Sequence, residues 1–337
     1  MDDMDLEDIA KALVAPSKGI LAADESTGTI KKRLETINPP STEETRRDYR
    51  ELLLSSEGAG DYISGVILYD ETIRQQAKNG TPLTELIKSQ GIIPGIKVDT
   101  GAKPLAFSEG ELVTEGLDGL RDRLNEYHRL GARFAKWRAV ISIGDGAPSQ
   151  YCIDTNAHAL ARYAALCQEA NIVPIVEPEV LMDGDHNIDE CYAVTETTLK
   201  TVFDELYKQR VVLEQMLLKP NMVVSGKDCP EQAGIDEVAT KTLYCFEQTV
   251  PAAVPGIVFL SGGQSEQQAT EHLNAMNQMG SYPWEISYSF GRALQASALS
   301  TWQGKPENIE AAQKAFLHRA KLTSAARDGG YSADMEE

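Results

Sequence analysis

Eight short, largely apolar runs recur along the chain, and no other feature narrows its fold so far. They cover residues 19–25, 65–71, 93–99, 134–141, 173–180, 213–222, 256–263 and 284–291. Successive runs therefore begin 28 to 46 residues apart. Runs this short and this apolar read as strands buried on both faces. Most of the intervals carry helical spacing: Ile235, Val238, Ala239, Thr242, Leu243 and Phe246 fall on one stripe, as do Val194, Leu199, Val202, Phe203 and Leu206. Strands alternating with helices make a parallel sheet, and eight is the number that closes a (β/α)8 barrel. A doubly wound open sheet is the alternative, but no GxGxxG follows the first run.

The flanks fit this plan. Leu6, Ile9, Ala10, Leu13 and Val14 predict an extra amphipathic helix ahead of the first strand. Ser26–Thr29 opens a helix through Leu34, and Ser41 with Glu44 matches a capping box. Residues 292–327 predict helices packed outside the barrel. We therefore expect one domain over 1–327, since barrels reach this size as a single unit. A polar, flexible tail is expected over 328–337.

Charge excludes several functions. The net charge of −19 opposes binding of a phosphate backbone over a broad surface, so no nucleic-acid partner is expected. No apolar stretch approaches the ~20 residues of a membrane span, and the acidic opening is not a signal peptide. Five scattered cysteines without CxxC read as reduced thiols, which suits the cytoplasm. Five histidines show neither HxH nor HExxH spacing, so no metal is expected.

Chemistry gathers where strands end. In such a barrel the site lies at the carboxyl ends of the strands, and side chains at i and i+2 share a face. Lys97 and Asp99 then point together, as do Lys136 and Arg138, and Glu177 and Glu179. Asp24 closes the first run. Lys219 stands in the sixth, an apolar stretch that reads as a buried strand ending near Pro220. A lysine is rarely buried without a partner or a task. Like-charge repulsion from Lys97 and Lys136 would free its neutral amine as a nucleophile. Ser261-Gly262-Gly263 after the seventh strand and Gly291-Arg292 after the eighth, beside Ser289, stand where barrels bind phosphate. Ser26, Thr29, Lys32 and Arg33 fit either a second phosphate site or an ordinary capped helix with a solvated basic face.

These stretches resemble the class I, Schiff-base-forming fructose-1,6-bisphosphate aldolases. The likeness spans about residues 5–327 and rests on GILAADESTGTIKKRL, GIKVD, FAKWR, VPIVEPE, LLKPNM, FLSGGQS and SFGRALQASAL. It implies a TIM barrel in which Lys219 forms the imine, with Asp24, Lys97, Lys136, Glu177 and Glu179 as the remaining catalytic set. It implies that Ser261, Gly262, Gly263, Ser289, Gly291 and Arg292 hold the ketose phosphate. Ser26, Thr29, Arg33 and Arg138, with Lys97, then surround the other end of the sugar. It further implies reversible cleavage of fructose 1,6-bisphosphate in glycolysis and gluconeogenesis, with no metal or other cofactor, sugar phosphates as the partners, and a cytoplasmic homotetramer.

The chain departs from the family pattern at Thr29, where serine is common, at Thr100, where a second lysine is frequent, and at Phe290, where tyrosine is common. Tyr331 does not match the terminal tyrosine that many relatives carry. Two other readings compete: a metal-dependent aldolase or isomerase on the same barrel, and a non-catalytic scaffold.

Overall fold

A computed structural model describes residues 4–337. Ten strands are present: β1 (Gly19–Ala23), β2 (Ile63–Leu68), β3 (Ile93–Lys97), β4 (Gly101–Pro104), β5 (Leu112–Glu115), β6 (Phe134–Ile141), β7 (Val173–Val180), β8 (Leu217–Leu218), β9 (Gly256–Phe259) and β10 (Glu285–Phe290). Eight of them close a barrel in the order β1-β10-β9-β8-β7-β6-β3-β2, with every neighbouring pair parallel. The chain is a (β/α)8 TIM barrel, and each apolar run contributes one barrel strand.

The helices are α1 (Leu6–Leu13), α2 (Thr27–Glu35), α3 (Glu43–Leu54), α4 (Asp70–Ile73), α5 (Leu83–Ser89), α6 (Leu120–Arg129), α7 (Gln150–Glu169), α8 (Ile188–Lys208), α9 (Ile235–Thr249), α10 (Glu266–Gln278), α11 (Arg292–Trp302) and α12 (Ile309–Arg327). Ser26 caps α2 as read from the sequence. The cap of α3 is Thr42, not Ser41: the Thr42 hydroxyl accepts from the Thr45 amide, while Ser41 Oγ accepts from Arg46. Either adjacent hydroxyl residue can cap a helix, so the sequence locates this start only to within one residue.

Two apolar layers result from strand alternation. Outward residues such as Trp137 meet the helix ring, where Trp137 stacks on Tyr163 of α7 with centroids 5.5 Å apart. Inward residues near the strand starts form a second cluster with α1, joining Ile9, Leu13 and Val14 to Ile20, Ile93, Phe134, Val173, Ile175, Leu217 and Val258. The extra N-terminal helix is thus a plug for the amino end of the barrel. Glycine at 95 is required there, because a Cβ would stand 2.3 Å from the Phe134 ring.

Three features depart from the sequence reading. The sixth strand is only Leu217–Leu218, preceded by a 3-10 turn at Leu213–Gln215. Beyond it Pro220 brings no amide to the ladder, and the Asn221 side chain accepts from the Val180 amide at 2.9 Å instead. The β4–β5 hairpin, unannounced in the sequence, stands antiparallel beside the barrel mouth. Finally, the segment expected to be a flexible tail is anchored. Tyr331 is buried, its amide donates to Asn274, and its hydroxyl donates to Glu336, which is paired to Arg319 at 2.9 Å.

Candidate active site

The carboxyl ends of the strands surround a cavity of about 380 Å³. Ala22, Asp24, Glu25, Ser26, Thr29 and Arg33 line it from β1, its loop and α2; Lys97, Asp99, Lys136, Arg138, Glu177 and Lys219 line it from β3, β6, β7 and β8 or the residues that follow them. Sheet register explains this convergence. Lys97 stands opposite Lys136, and Arg138 opposite Glu177, so neighbouring strands deliver their charges at one height. Lys219 follows β8 directly, and its amide still donates to Val176 at 2.8 Å. A backbone bond at that point fixes where its side chain departs.

Glu177 is central. One carboxylate oxygen lies 3.4 Å from Lys219 Nζ, the other 3.4 Å from Lys136 Nζ. All three residues are almost wholly buried. The Glu177 Oε2 atom accepts no hydrogen bond, which leaves it open to a proton. Lys136 also donates to Asp24 at 2.7 Å. Burial works against ionisation of Asp24, but the charges of Lys136, Lys219 and Lys97, with the Lys136 hydrogen bond, hold its carboxyl well below the usual carboxylate range. Burial likewise opposes charge on Lys136, yet Asp24, Glu177 and Asp99 hold its ammonium above the usual lysine range.

The two lysines expected to repel Lys219 thus carry carboxylates of their own. Lys136 has Asp24, and Lys97 is bonded to the side chain of Asp99 and to its carbonyl. Asp99 also accepts from the amides of Gly101 and Arg138, fastening the hairpin to β3 and β6.

Not every residue singled out in the sequence faces the cavity. Glu179 is buried behind it and accepts from Arg138 Nε at 2.5 Å. Ser261, Gly262, Gly263, Ser289 and Arg292 stand outside its lining, although Gly291 borders it. They still form one group. Arg292 donates to the Gly262 carbonyl at 2.6 Å, across the gap between the loops after β9 and β10. Gly262 has φ +58, and the Gly263 amide points at Met182. Ser289 is buried with its hydroxyl unpaired. On the other side, the Ser26 and Thr29 hydroxyls lie 3.1 Å apart at the start of α2, where unpaired amides suit an anion.

Sequence reasoning passed over Glu25, Tyr69 and the hairpin residues Gly101 and Ala102, all of which line the cavity, as does Thr100 just ahead of the hairpin. Glu25 had a signal: it is the second of two consecutive carboxylates at a strand end. The hairpin had none, because residues 101–115 lack strict alternation.

All five cysteines are buried and free. Among the described residues no helix is long and apolar enough to cross a membrane.

Comparison with known proteins agrees with this geometry. The family model described as glycolytic, fructose-bisphosphate aldolase class-I, matches residues 5–337. A probable fructose-bisphosphate aldolase class 1 of Xanthomonas campestris pv. campestris is 59% identical, over 96% of this chain and 97% of its own length. The cytosolic fructose-bisphosphate aldolase 6 of Arabidopsis thaliana is 55% identical over 95% of this chain and 90% of its own. The solved Plasmodium falciparum fructose-bisphosphate aldolase, in complex with TRAP and a small-molecule inhibitor, superposes with a TM-score of 0.96 at 48% identity, covering 97% of this chain and 95% of that one.

Proposed function

The chain belongs to the class-I fructose-bisphosphate aldolase family, and from that premise we infer how its own residues perform the reaction. It is a carbon–carbon lyase of glycolysis, cleaving fructose 1,6-bisphosphate reversibly to dihydroxyacetone phosphate and glyceraldehyde 3-phosphate. The observation that carries the assignment of roles is the Glu177 carboxylate set between Lys219 and Lys136 in the floor of the cavity.

Lys219, as the neutral amine, attacks the C2 ketone of the open-chain sugar. Glu177 and Lys136 move protons while the carbinolamine loses water, and an iminium forms on Lys219. Glu177 then takes the proton from the C4 hydroxyl. The C3–C4 bond breaks, its electron pair passes into the iminium, and glyceraldehyde 3-phosphate leaves. Protonation of the enamine at C3 and hydrolysis of the imine release dihydroxyacetone phosphate and restore the amine. Asp24 and Lys97 orient the C3 and C4 hydroxyls, and Glu179 holds Arg138 rather than touching the reacting atoms. The iminium is the electron sink, so no metal or other cofactor is required.

Ser261, Gly262, Gly263, Ser289, Gly291 and Arg292 hold the ketose phosphate. Ser26, Thr29, Arg33 and Arg138, with Lys97, hold the other end. Residues 1–327 act as one catalytic domain in a cytoplasmic homotetramer.

Borohydride added with dihydroxyacetone phosphate tests the central step. It should fix one triose-phosphate adduct per chain, and peptide mapping should find it on Lys219. An adduct on Lys97 or Lys136 would reassign the nucleophile, and active enzyme without any adduct would overturn the imine.

A further inference from the structure

We propose that Glu25 is a positioning residue that holds Arg33 in its phosphate-binding pose, an inference that rests on the role given to Arg33 above. Glu25 is buried immediately after the Asp24 strand end, with its carboxylate between two arginines. One oxygen accepts from Arg33 NH1 of α2 and from Gln295 Nε2 of α11, the latter at 3.0 Å. The other faces Arg50 NH1 of α3 at 2.6 Å, and Arg50 also donates to the Glu25 carbonyl. Gln295 is fixed in turn: it donates to the Ala22 carbonyl at 2.8 Å and accepts from the Tyr49 hydroxyl at 3.0 Å.

Of the two arginines, only Arg33 lines the cavity. Arg50 is 2% exposed and serves as the fixed countercharge. Two guanidiniums and one carboxylate leave the group one positive charge, which an incoming phosphate can meet at Arg33. The same anchor settles where Arg33 points. Its NH2 lies 3.9 Å from the place a Cβ would occupy on Gly291, so it stands between the first-strand loop and the turn that carries Arg292. An arginine side chain left free samples many rotamers, and ordering it costs binding free energy. Glu25 meets that cost before substrate arrives. Gln295, three residues after Arg292 on α11, ties the anchor to the helix that opens the other phosphate site.

Two effects of Glu25 oppose each other, which makes the inference testable. As a countercharge it weakens phosphate binding; as an anchor it strengthens it. Glu25→Asp keeps the charge, and hence a partner for Arg50, but withdraws the carboxylate by one methylene. If the anchor dominates, KM for fructose 1,6-bisphosphate should rise about tenfold with kcat within about twofold. Because the effect runs through Arg33, the same change made in an Arg33→Ala background should move KM less than about twofold. Gln295→Leu releases the carboxylate sideways without altering charge and should raise KM in the same direction, about threefold, which guards against misfolding of the first variant.

An unchanged or lowered KM in both single variants would overturn the inference, as would full additivity with Arg33→Ala. If Arg33→Ala raises KM and the Glu25 and Gln295 variants do not, only this inference falls. If Arg33→Ala itself leaves KM unchanged, the assignment of Arg33 falls, and the role of Glu25 falls with it.

Discussion

The two mouths of the barrel are made from the same strands and have opposite chemistry. On the amino side, inward positions are apolar and dry: Ile20, Ile93, Phe134, Val173 and Leu217 close on α1. On the carboxyl side, the same inward rows continue into Asp24, Lys97, Lys136, Glu177 and Lys219. Two to four residues separate one regime from the other on every one of these strands. A strand rises roughly 3.3 Å per residue, so the change occupies about 7–13 Å of barrel height. The plug makes the ionic end possible. With no water entering from below, each charge must find its partner among its neighbours, and each does. The amino end therefore supplies stability and the carboxyl end supplies reactivity, and substitutions should sort accordingly.

The largest expected effect lies at the reactive end. Lys219→Met keeps an unbranched chain but removes the amine, so turnover should fall by several orders of magnitude. The melting temperature should change little, since Glu177 keeps Lys136 as its countercharge. Steady-state kinetics and calorimetry on one preparation check both halves. A variant that loses stability and activity in parallel would mean that the two ends are not separable.

At the opposite mouth, Phe134→Ala opens a cavity beneath Gly65 and Gly95, where the ring now packs. Large-to-small changes of this kind cost about 3–5 kcal/mol. Denaturant unfolding should show that loss, while kcat per folded chain stays within about threefold. Activity that disappears from a folded variant would show that plug packing sets the pose of Lys136, two residues further on.

A smaller effect separates the two ends by pH. Asp24 has its carboxyl held below the unfolded value, so its stabilising contribution is present above about pH 4 and is lost as the medium becomes more acidic. Asp24→Asn removes a charge-assisted bond to Lys136 and should cost about 1.5–3 kcal/mol at neutral pH. That difference should shrink steadily below about pH 4. Phe134→Ala should show no such convergence, because the cluster that Phe134 packs in is apolar. A pH-independent penalty in the Asp24 variant would contradict the ionic account of this mouth.

The same contrast explains what could be read from the sequence. Inward rows that run from Val173 through Ile175 to Glu177 show apolar burial and charge at the proper period, so the eight strands and the lysine–carboxylate set were both legible. Periodicity carries no information about contacts among separate elements. The Glu25 anchor needs α2, α3 and α11 to meet, and Arg50 in its own helix looks like any surface arginine. The hairpin escaped because β4 is largely exposed and the four residues of β5 are too few to show an alternation. The sixth strand was overstated because Met222 and Val223 are as apolar as a strand requires, although side chains serve their backbone: Asn221 Nδ2 donates to the Met222 carbonyl, and the Thr242 hydroxyl accepts from the Val223 amide. The tail was misread because one buried Tyr331 and one paired Glu336 outweigh a polar composition.

The smallest effect expected is none, and it bears on what kind of reactivity the ionic mouth holds. A divalent cation needs oxygen or imidazole donors free to turn toward it. Here Asp24 already accepts from Lys136 at 2.7 Å, and Glu177 lies 3.4 Å from the Nζ atoms of both Lys136 and Lys219. Among the described residues no group of three or more His, Cys, Asp or Glu side chains is arranged to hold a metal. A cation would have to displace a lysine from its carboxylate and then stand beside the ammonium it displaced. An iminium on Lys219, the proposed intermediate, would supply the electron sink that a Lewis acid otherwise provides. Overnight dialysis against EDTA should therefore leave cleavage of fructose 1,6-bisphosphate unchanged within assay scatter, and borohydride should still fix an adduct on the dialysed protein. Loss of activity restored by zinc or cobalt would transfer the chemistry from lysine to metal and leave the ionic mouth without its assigned purpose.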